Sequence, residues 1–186
     1  LSKELIAAYQ VPDASIDPFK LSMENISQAR SLGTTLLRHA KVVGFEKSHR
    51  QILATRVENQ LTGEIQLIEA EQVVNAAGAW ARDVAALAAI NIDLVYSKGS
   101  LLVSHSRITQ RVINRLRPSS NADILVPGGT VSILGTTSMR IDNLDNIFPT
   151  VREMDLIVGE GAGMLPEVEN IRFIRAYAGV RPLFGT

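Results

Sequence analysis

Two pairs of short apolar runs, each closed by a turn, set the tightest limit on how this chain can fold. Residues 52–58 and 64–68 flank Asn59-Gln60-Leu61-Thr62-Gly63, which ends on glycine as a hairpin turn often does. Residues 123–126 and 131–134 flank Pro127-Gly128-Gly129 in the same way. Hairpins join antiparallel neighbours, so the sheet is antiparallel or mixed, with helices laid against it. The pattern predicts further strands at 34–37, 42–45, 72–76, 92–96, 101–103 and 171–177. Asp17-Pro18 opens a helix, because aspartate caps the first turn and proline needs no N–H partner at the first helical position; Gly33 ends it. A short helix is predicted over 80–89. Thr150 and Glu153 form a capping box for another helix, which runs to about residue 164 and stops at Pro166. The expectation is an α+β fold.

Composition narrows the function classes. The chain has 186 residues, 46% of them apolar and 20% charged, which suits one globular domain or two small ones. Nineteen basic residues balance nineteen acidic ones. A net charge of zero argues against a nucleic-acid partner, whose binding rests on phosphate neutralisation. With no cysteine, the chain has no disulfide, zinc–thiolate site, cysteine-held iron–sulfur cluster or cysteine nucleophile. No apolar run reaches the ~18 residues of a membrane span. Leu1 in place of methionine, and an abrupt stop at Phe184-Gly185-Thr186, read as a segment of a longer protein.

Several stretches have the residue types that chemistry requires. Val158-Gly159-Glu160-Gly161-Ala162-Gly163 imitates a dinucleotide-binding glycine turn, but Met164 breaks the fingerprint and Pro166 follows too soon for the helix it needs. It reads instead as a helix end loosened by glycines. In Val74-Asn75-Ala76-Ala77-Gly78-Ala79-Trp80, small residues pass from a strand into a helix, where a ligand can lie on the backbone. The alternative is a tight turn without a ligand. Lys98-Gly99-Ser100 is either an anion site or a bulge. Arg181, between Val180 and Pro182, is shaped for bidentate contact with phosphate or carboxylate, or else forms a structural ion pair. Arg111, Arg115 and Arg117 read as one face of a solvated helix. His39, His49 and His105 lack metal spacing and receive no catalytic role.

Six stretches in order carry a family resemblance. They are Asp17-Pro18-Phe19, residues 74–80, Lys98-Gly99-Ser100, Ala122-Asp123-Ile124-Leu125-Val126-Pro127-Gly128, Gly135-Thr136-Thr137 and Gly179-Val180-Arg181-Pro182-Leu183. In this register the chain resembles FAD-dependent glycerol-3-phosphate dehydrogenases. Val112-Ile113-Asn114-Arg115 and Thr136-Thr137-Ser138-Met139-Arg140-Ile141-Asp142 resemble the large catalytic subunit of the anaerobic enzymes more than the aerobic ones. The resemblance implies the fold of the D-amino-acid-oxidase-like flavoproteins, with a substrate domain on a mixed or antiparallel sheet and part of the FAD domain. Residues 1–90 would belong to the FAD-binding region, 91–180 to the substrate domain and 181–186 to the return into the FAD domain. The glycine-rich turn that holds the FAD pyrophosphate and the later Gly-Gly-Lys segment of the family are both missing from this chain.

The resemblance further implies that Val42 lies where the family places the FAD adenine. Ala76, Ala77 and Gly78 match the turn that passes close to FAD, and Trp80 begins the helix after it. Arg181 matches the arginine on the substrate phosphate, and Lys98 leads toward the active-site region. The implied reaction is oxidation of sn-glycerol 3-phosphate to dihydroxyacetone phosphate by hydride transfer to FAD. Electrons would pass to a quinone through other subunits of a membrane-associated complex in anaerobic respiration. The protein would then be cytoplasmic, peripheral on the inner face of the cell membrane. No residue here is assigned as the general base. The alternatives are a flavin amine or amino-acid oxidase of the same fold or, for the isolated chain, a non-catalytic folding and interaction module whose partner is the rest of the protein or a second copy.

Overall fold

Hydrogen bonds accepted by one aspartate start the first helix of the computed structural model, which describes residues 2, 3 and 5–185. Asp17 Oδ1 accepts the Lys20 N–H at 3.0 Å, and α1 (Pro18–Ser31) follows as the cap predicts. The chain divides into two compact units. One holds Ser22–Val95 with the residues from Pro182 on, and the other Tyr96–Arg181 with the residues up to Leu21.

In the first unit, β1 (Ala40–Ser48), β2 (Gln51–Asn59) and β3 (Ile65–Glu69) form an antiparallel sheet in that order. The register runs from Ala40 opposite Asn59 to Ser48 opposite Gln51, with shifts after Val42 and Glu46. The predicted hairpin turn is present. Asn59 Oδ1 accepts the Leu61 N–H at 2.9 Å, and Gly63 adopts a left-handed φ of 76°. A 3-10 turn (Gly78–Trp80) then leads into α2 (Ala81–Leu87). Residues 34–37 and 72–76 are not strands. An apolar run becomes a strand only where another backbone pairs with it, and no described strand does so; Val74 stands 85% exposed.

The second unit is built on β4 (Leu94–Ser104), which pairs with three neighbours. Its residues Leu101–Val103 lie antiparallel to β7 (Val131–Gly135), and Tyr96–Lys98 lie antiparallel to β8 (Met139–Ile141). It also pairs with β9 (Phe173–Phe184). The short β5 (Ile113–Asn114) and β6 (Ile124–Gly128) extend the sheet beyond β7. Two expectations change here. Lys98-Gly99-Ser100 lies inside one continuous strand, and residues 178–182 continue β9 instead of leaving it as a loop. In both cases a paired neighbour supplies the ladder bonds that local sequence does not announce.

Against this sheet packs α3 (Val151–Met164), with Ile157, Gly161 and Met164 turned inward at helical spacing. They join Leu102, Leu125, Leu134, Leu165 and Val168 in the core. The rejected dinucleotide motif is indeed helix, but its end is not loosened. A Cβ on Gly161 would lie 2.6 Å from Leu134 Cδ2, so glycine is what lets α3 approach the sheet. Gly161→Ala should therefore cost about 1–3 kcal/mol through overpacking, read as a lower denaturation midpoint of the complete protein. An unchanged midpoint would show that α3 sits farther off.

Arg111, Arg115 and Arg117 are not helical. Pro118 disfavours helix at the residue before it. Arg115 and Arg117 instead reach Glu160 near the end of α3, at 2.7 and 3.0 Å, and Arg117 Nε also donates to Asp123 at 2.7 Å. Hydrogen bonds from Arg117 and then Arg115 hold the Glu160 carboxyl below its ordinary range.

Candidate anion-binding site

Side chains alternate along a strand, so residues 97 and 99 of β4 address one face while 98 and 100 address the other. The two faces hold different chemistry. On the first lies the guanidinium of Arg181, from β9. Its Nη2 donates to Thr136 Oγ1 at 3.0 Å, and Nη1 makes a longer contact of 3.4 Å to Ser97 Oγ. Ser97 Oγ in turn lies 2.9 Å from Ser138 Oγ. Gly99 provides the floor. A Cβ there would stand 2.5 Å from Arg181 Nη2 and 2.5 Å from Thr136 Oγ1.

The partners of Arg181 are neutral hydroxyls. Among the described residues no carboxylate lies within ion-pair distance of it, whereas Arg56 and Arg115 each have one and Arg117 has two. A guanidinium oriented by hydroxyls but not neutralised keeps its affinity for an anion.

On the opposite face Glu153, 1% exposed, gathers five hydrogen bonds. Oε1 accepts from Ser100 Oγ at 2.8 Å and Thr137 Oγ1 at 3.1 Å. Oε2 accepts from Lys98 Nζ at 2.9 Å, Thr150 N at 2.9 Å and Thr150 Oγ1 at 2.8 Å. The Thr150 contacts complete the predicted capping box; the reach to β4 is what the sequence did not show. Lys98, 6% exposed, also donates to the Phe148 carbonyl at 2.9 Å. Two of its three N–H groups are thereby engaged, and its charge is met by Glu153.

Burial by itself raises the Glu153 carboxyl. Hydrogen bonds from Lys98, Ser100 and Thr150 together outweigh it and bring the value from 4.5 down to about 2. A carboxyl lowered by folding stabilises the fold above its unfolded value and loses that contribution as the pH falls toward the folded one. We therefore expect acid destabilisation between pH 4.5 and about 2 that Glu153→Gln flattens, measured as denaturation midpoint against pH. Parallel curves for the two proteins would remove Glu153 from the effect.

The turn at 75–80, in the other unit, is pinned by Asn75. Its Oδ1 accepts the Ala77 N–H at 3.2 Å and its Nδ2 donates to the Ala81 carbonyl at 2.8 Å. Gly78 has a φ of 57° and nothing within 4 Å of a built Cβ, so conformation and not crowding calls for glycine there. Gly78→Ala should cost about 1 kcal/mol, read by denaturation. Ala76 and Gly78 are exposed, Ala77 is half-buried, and Trp80 is 55% exposed. Val42, half-buried on β1, faces Val57 across the ladder just before the first register shift.

The structure thus brings Ala76, Ala77, Gly78 and Trp80 into one turn. It places Lys98 and Arg181 on paired strands with their charged ends on opposite faces. The sequence reading missed Ser97, Thr136 and Glu153. A run of three hydroxyl residues, Thr136-Thr137-Ser138, between two strand segments was the available signal. Among the described residues no cluster of histidine and carboxylate suits a metal ion, and no helix is long and apolar enough to cross a membrane.

Residues 1–186 match the family described as FAD dependent oxidoreductase, the DAO family, and the chain belongs to it. Its similarity narrows further. Over 181 residues it is 45% identical to the A subunit of the anaerobic glycerol-3-phosphate dehydrogenase of Escherichia coli (strain K12), covering 96% of this chain and 33% of that protein. The glycerol-3-phosphate dehydrogenase of Bacillus halodurans, solved in complex with FAD, matches with a TM-score of 0.75 at 25% identity, over 88% of this chain and 35% of its own. L-Proline dehydrogenase from P. horikoshii shares the fold, with a TM-score of 0.74 at 22% identity over 88% of this chain and 43% of its own. The chain spans about a third of the length of the curated relatives it matches. The family resemblance and the fold class expected from the motifs are both borne out.

Proposed function

We propose that the protein containing this chain oxidises sn-glycerol 3-phosphate to dihydroxyacetone phosphate, with Arg181 receiving the substrate phosphate. The observation that carries this is the Arg181 guanidinium, seated over Gly99 by Ser97 and Thr136 and left without a carboxylate. The similarity to glycerol-3-phosphate dehydrogenases supports the choice of phosphate over carboxylate. Lys98, its charge met by Glu153, supports the strand that carries this seat.

When bound, FAD would supply a two-electron acceptor for the C2 hydride, the C2 hydroxyl proton being released to solvent. The turn at 76–78 fits such a group, being built of small residues, exposed at Ala76 and Gly78 and open around Gly78. Val42, Ala76, Ala77, Gly78 and Trp80 would hold it. Arg181 binds and orients the substrate, which converts a bimolecular encounter into an aligned one. Because the relatives bear the name of one subunit of an anaerobic dehydrogenase, we place the protein with further subunits that carry electrons on to a quinone. It would lie peripherally on the inner face of the membrane.

The test is to add glycerol 3-phosphate to the complete protein without oxygen and follow the flavin absorbance. Prompt bleaching supports the proposal. Bleaching by amino acids or amines but not by glycerol 3-phosphate overturns the substrate class in favour of an oxidase. A protein without flavin overturns the cofactor as well.

A further inference from the structure

We propose that Glu153 is a positioning residue for the anion site, acting through β4 and the 136–138 segment on the placement of Arg181; this rests on the phosphate reading of Arg181. Among the described residues the Glu153 carboxylate makes its hydrogen bonds to Lys98, Ser100, Thr137 and Thr150, not to Ser97, Thr136 or Arg181 on the guanidinium face. It holds the reverse side of the same backbone. Its Oε1 fixes Ser100 and Thr137, and its Oε2 fixes Lys98. Thr137 Oγ1 also accepts the Ser100 N–H at 2.9 Å, and the Thr137 N–H donates to the Ser100 carbonyl at 3.3 Å. Residues 98–100 and 137 are thereby tied into one block around a single carboxylate.

That block carries the seat of Arg181 on its other face. Gly99 lies between Lys98 and Ser100, and Thr136 immediately precedes Thr137. Thr136 Oγ1 donates to the Thr137 carbonyl at 3.1 Å while it accepts from Arg181. The seat has little slack, since a single added carbon on Gly99 would come within 2.5 Å of the guanidinium. A displacement of β4 or of residue 136 by a few tenths of an ångström therefore changes where the guanidinium points. Buried networks of this kind act as units, and loss of one member is felt by the others.

Glu153 also sets the charge of the site. By meeting the charge of Lys98 from behind, it leaves Arg181 as the cation presented by this block. The carboxylate is thus responsible both for where the guanidinium sits and for its being the group an anion meets.

The test is a double-mutant cycle in the complete protein, with KM, kcat and FAD content read for Glu153→Gln, Arg181→Ala and the pair. We expect Glu153→Gln to keep its FAD and raise the KM for glycerol 3-phosphate about tenfold, with kcat within about twofold. In the Arg181→Ala background the same change should add nothing, since it acts through that arginine. An unchanged KM in flavin-loaded Glu153→Gln overturns the inference. So does an equal rise in both backgrounds, which would mark a merely structural role. If Arg181→Ala itself leaves KM unchanged, the phosphate reading fails and takes this inference with it; a raised KM there beside an inert Glu153→Gln sinks the inference alone. Should Glu153→Gln not fold, Thr137→Val removes one of the carboxylate's contacts while keeping the side chain's shape. It is expected to raise KM about threefold in the wild-type background only, and an unchanged KM overturns the proposal.

Discussion

Replacing Arg181 by alanine is expected to raise the KM for glycerol 3-phosphate by about 10- to 100-fold while the protein keeps its FAD. A charge-assisted contact to phosphate is worth about 1.5–3 kcal/mol, and each 1.4 kcal/mol is a factor of ten. The guanidinium makes two contacts to hydroxyls and no ion pair among the described residues, so its removal orphans no buried charge and the fold should survive. Arg181→Lys should recover only part of the loss, because an ammonium cannot span Ser97 and Thr136 as the planar fork does. Gly99→Ala should resemble Arg181→Ala, since the added methyl would stand 2.5 Å from Nη2 and push the guanidinium off β4. Steady-state kinetics with a flavin absorbance ratio for each variant decides the matter. An Arg181→Ala protein with native KM would show that the phosphate is held elsewhere.

A second large effect is expected from Lys98→Met, which should destabilise the complete protein by about 3–5 kcal/mol. The change keeps the length of the side chain but strands the Glu153 carboxylate, 1% exposed, without its cation. The remaining donors, Ser100, Thr137 and Thr150, soften the loss and place it toward the lower end of the range. Removing both charges together, as Lys98→Met with Glu153→Leu, should restore much of the stability, because apolar replacements of a buried pair are often close to neutral. Chemical denaturation of the parent and the two variants checks this. A Lys98→Met midpoint within error of the parent would mean that water reaches Glu153 and solvates it.

Local sequence disclosed those elements whose cause is local. The Asp17 cap, the Asn59 turn and the Thr150–Glu153 capping box each use residues within a few positions of one another, and all three formed as read. Some elements that depend on a distant partner were misjudged, although the strand at 101–103, paired with 133–135, was read correctly. Residues 72–76 have the composition of a strand but no described neighbour to pair with, while 178–182 look like a loop and are paired into β9. The site divides in the same way. Arg181 was visible because its side-chain chemistry is specific and its flanking residues are stiff. Its seat was not, since Ser97, Gly99 and Thr136 have meaning only once β4, β9 and the 136–138 segment are adjacent. Glu153 was read as a helix cap, which it is, and nothing in its sequence neighbourhood announces a contact to Lys98 across 55 positions.

The alternation along β4 also limits how this strand can drift in evolution. Lys98 and Ser100 serve the carboxylate behind the sheet, while Ser97 and Gly99 serve the guanidinium in front of it. Exchanges of one side chain for another alter one face at a time. An insertion or deletion of a single residue anywhere from 97 to 100 transposes the two faces, setting a lysine against an arginine and a glycine against a buried carboxylate. Homologous chains should therefore vary in length on either side of this strand and keep a fixed count of residues within it.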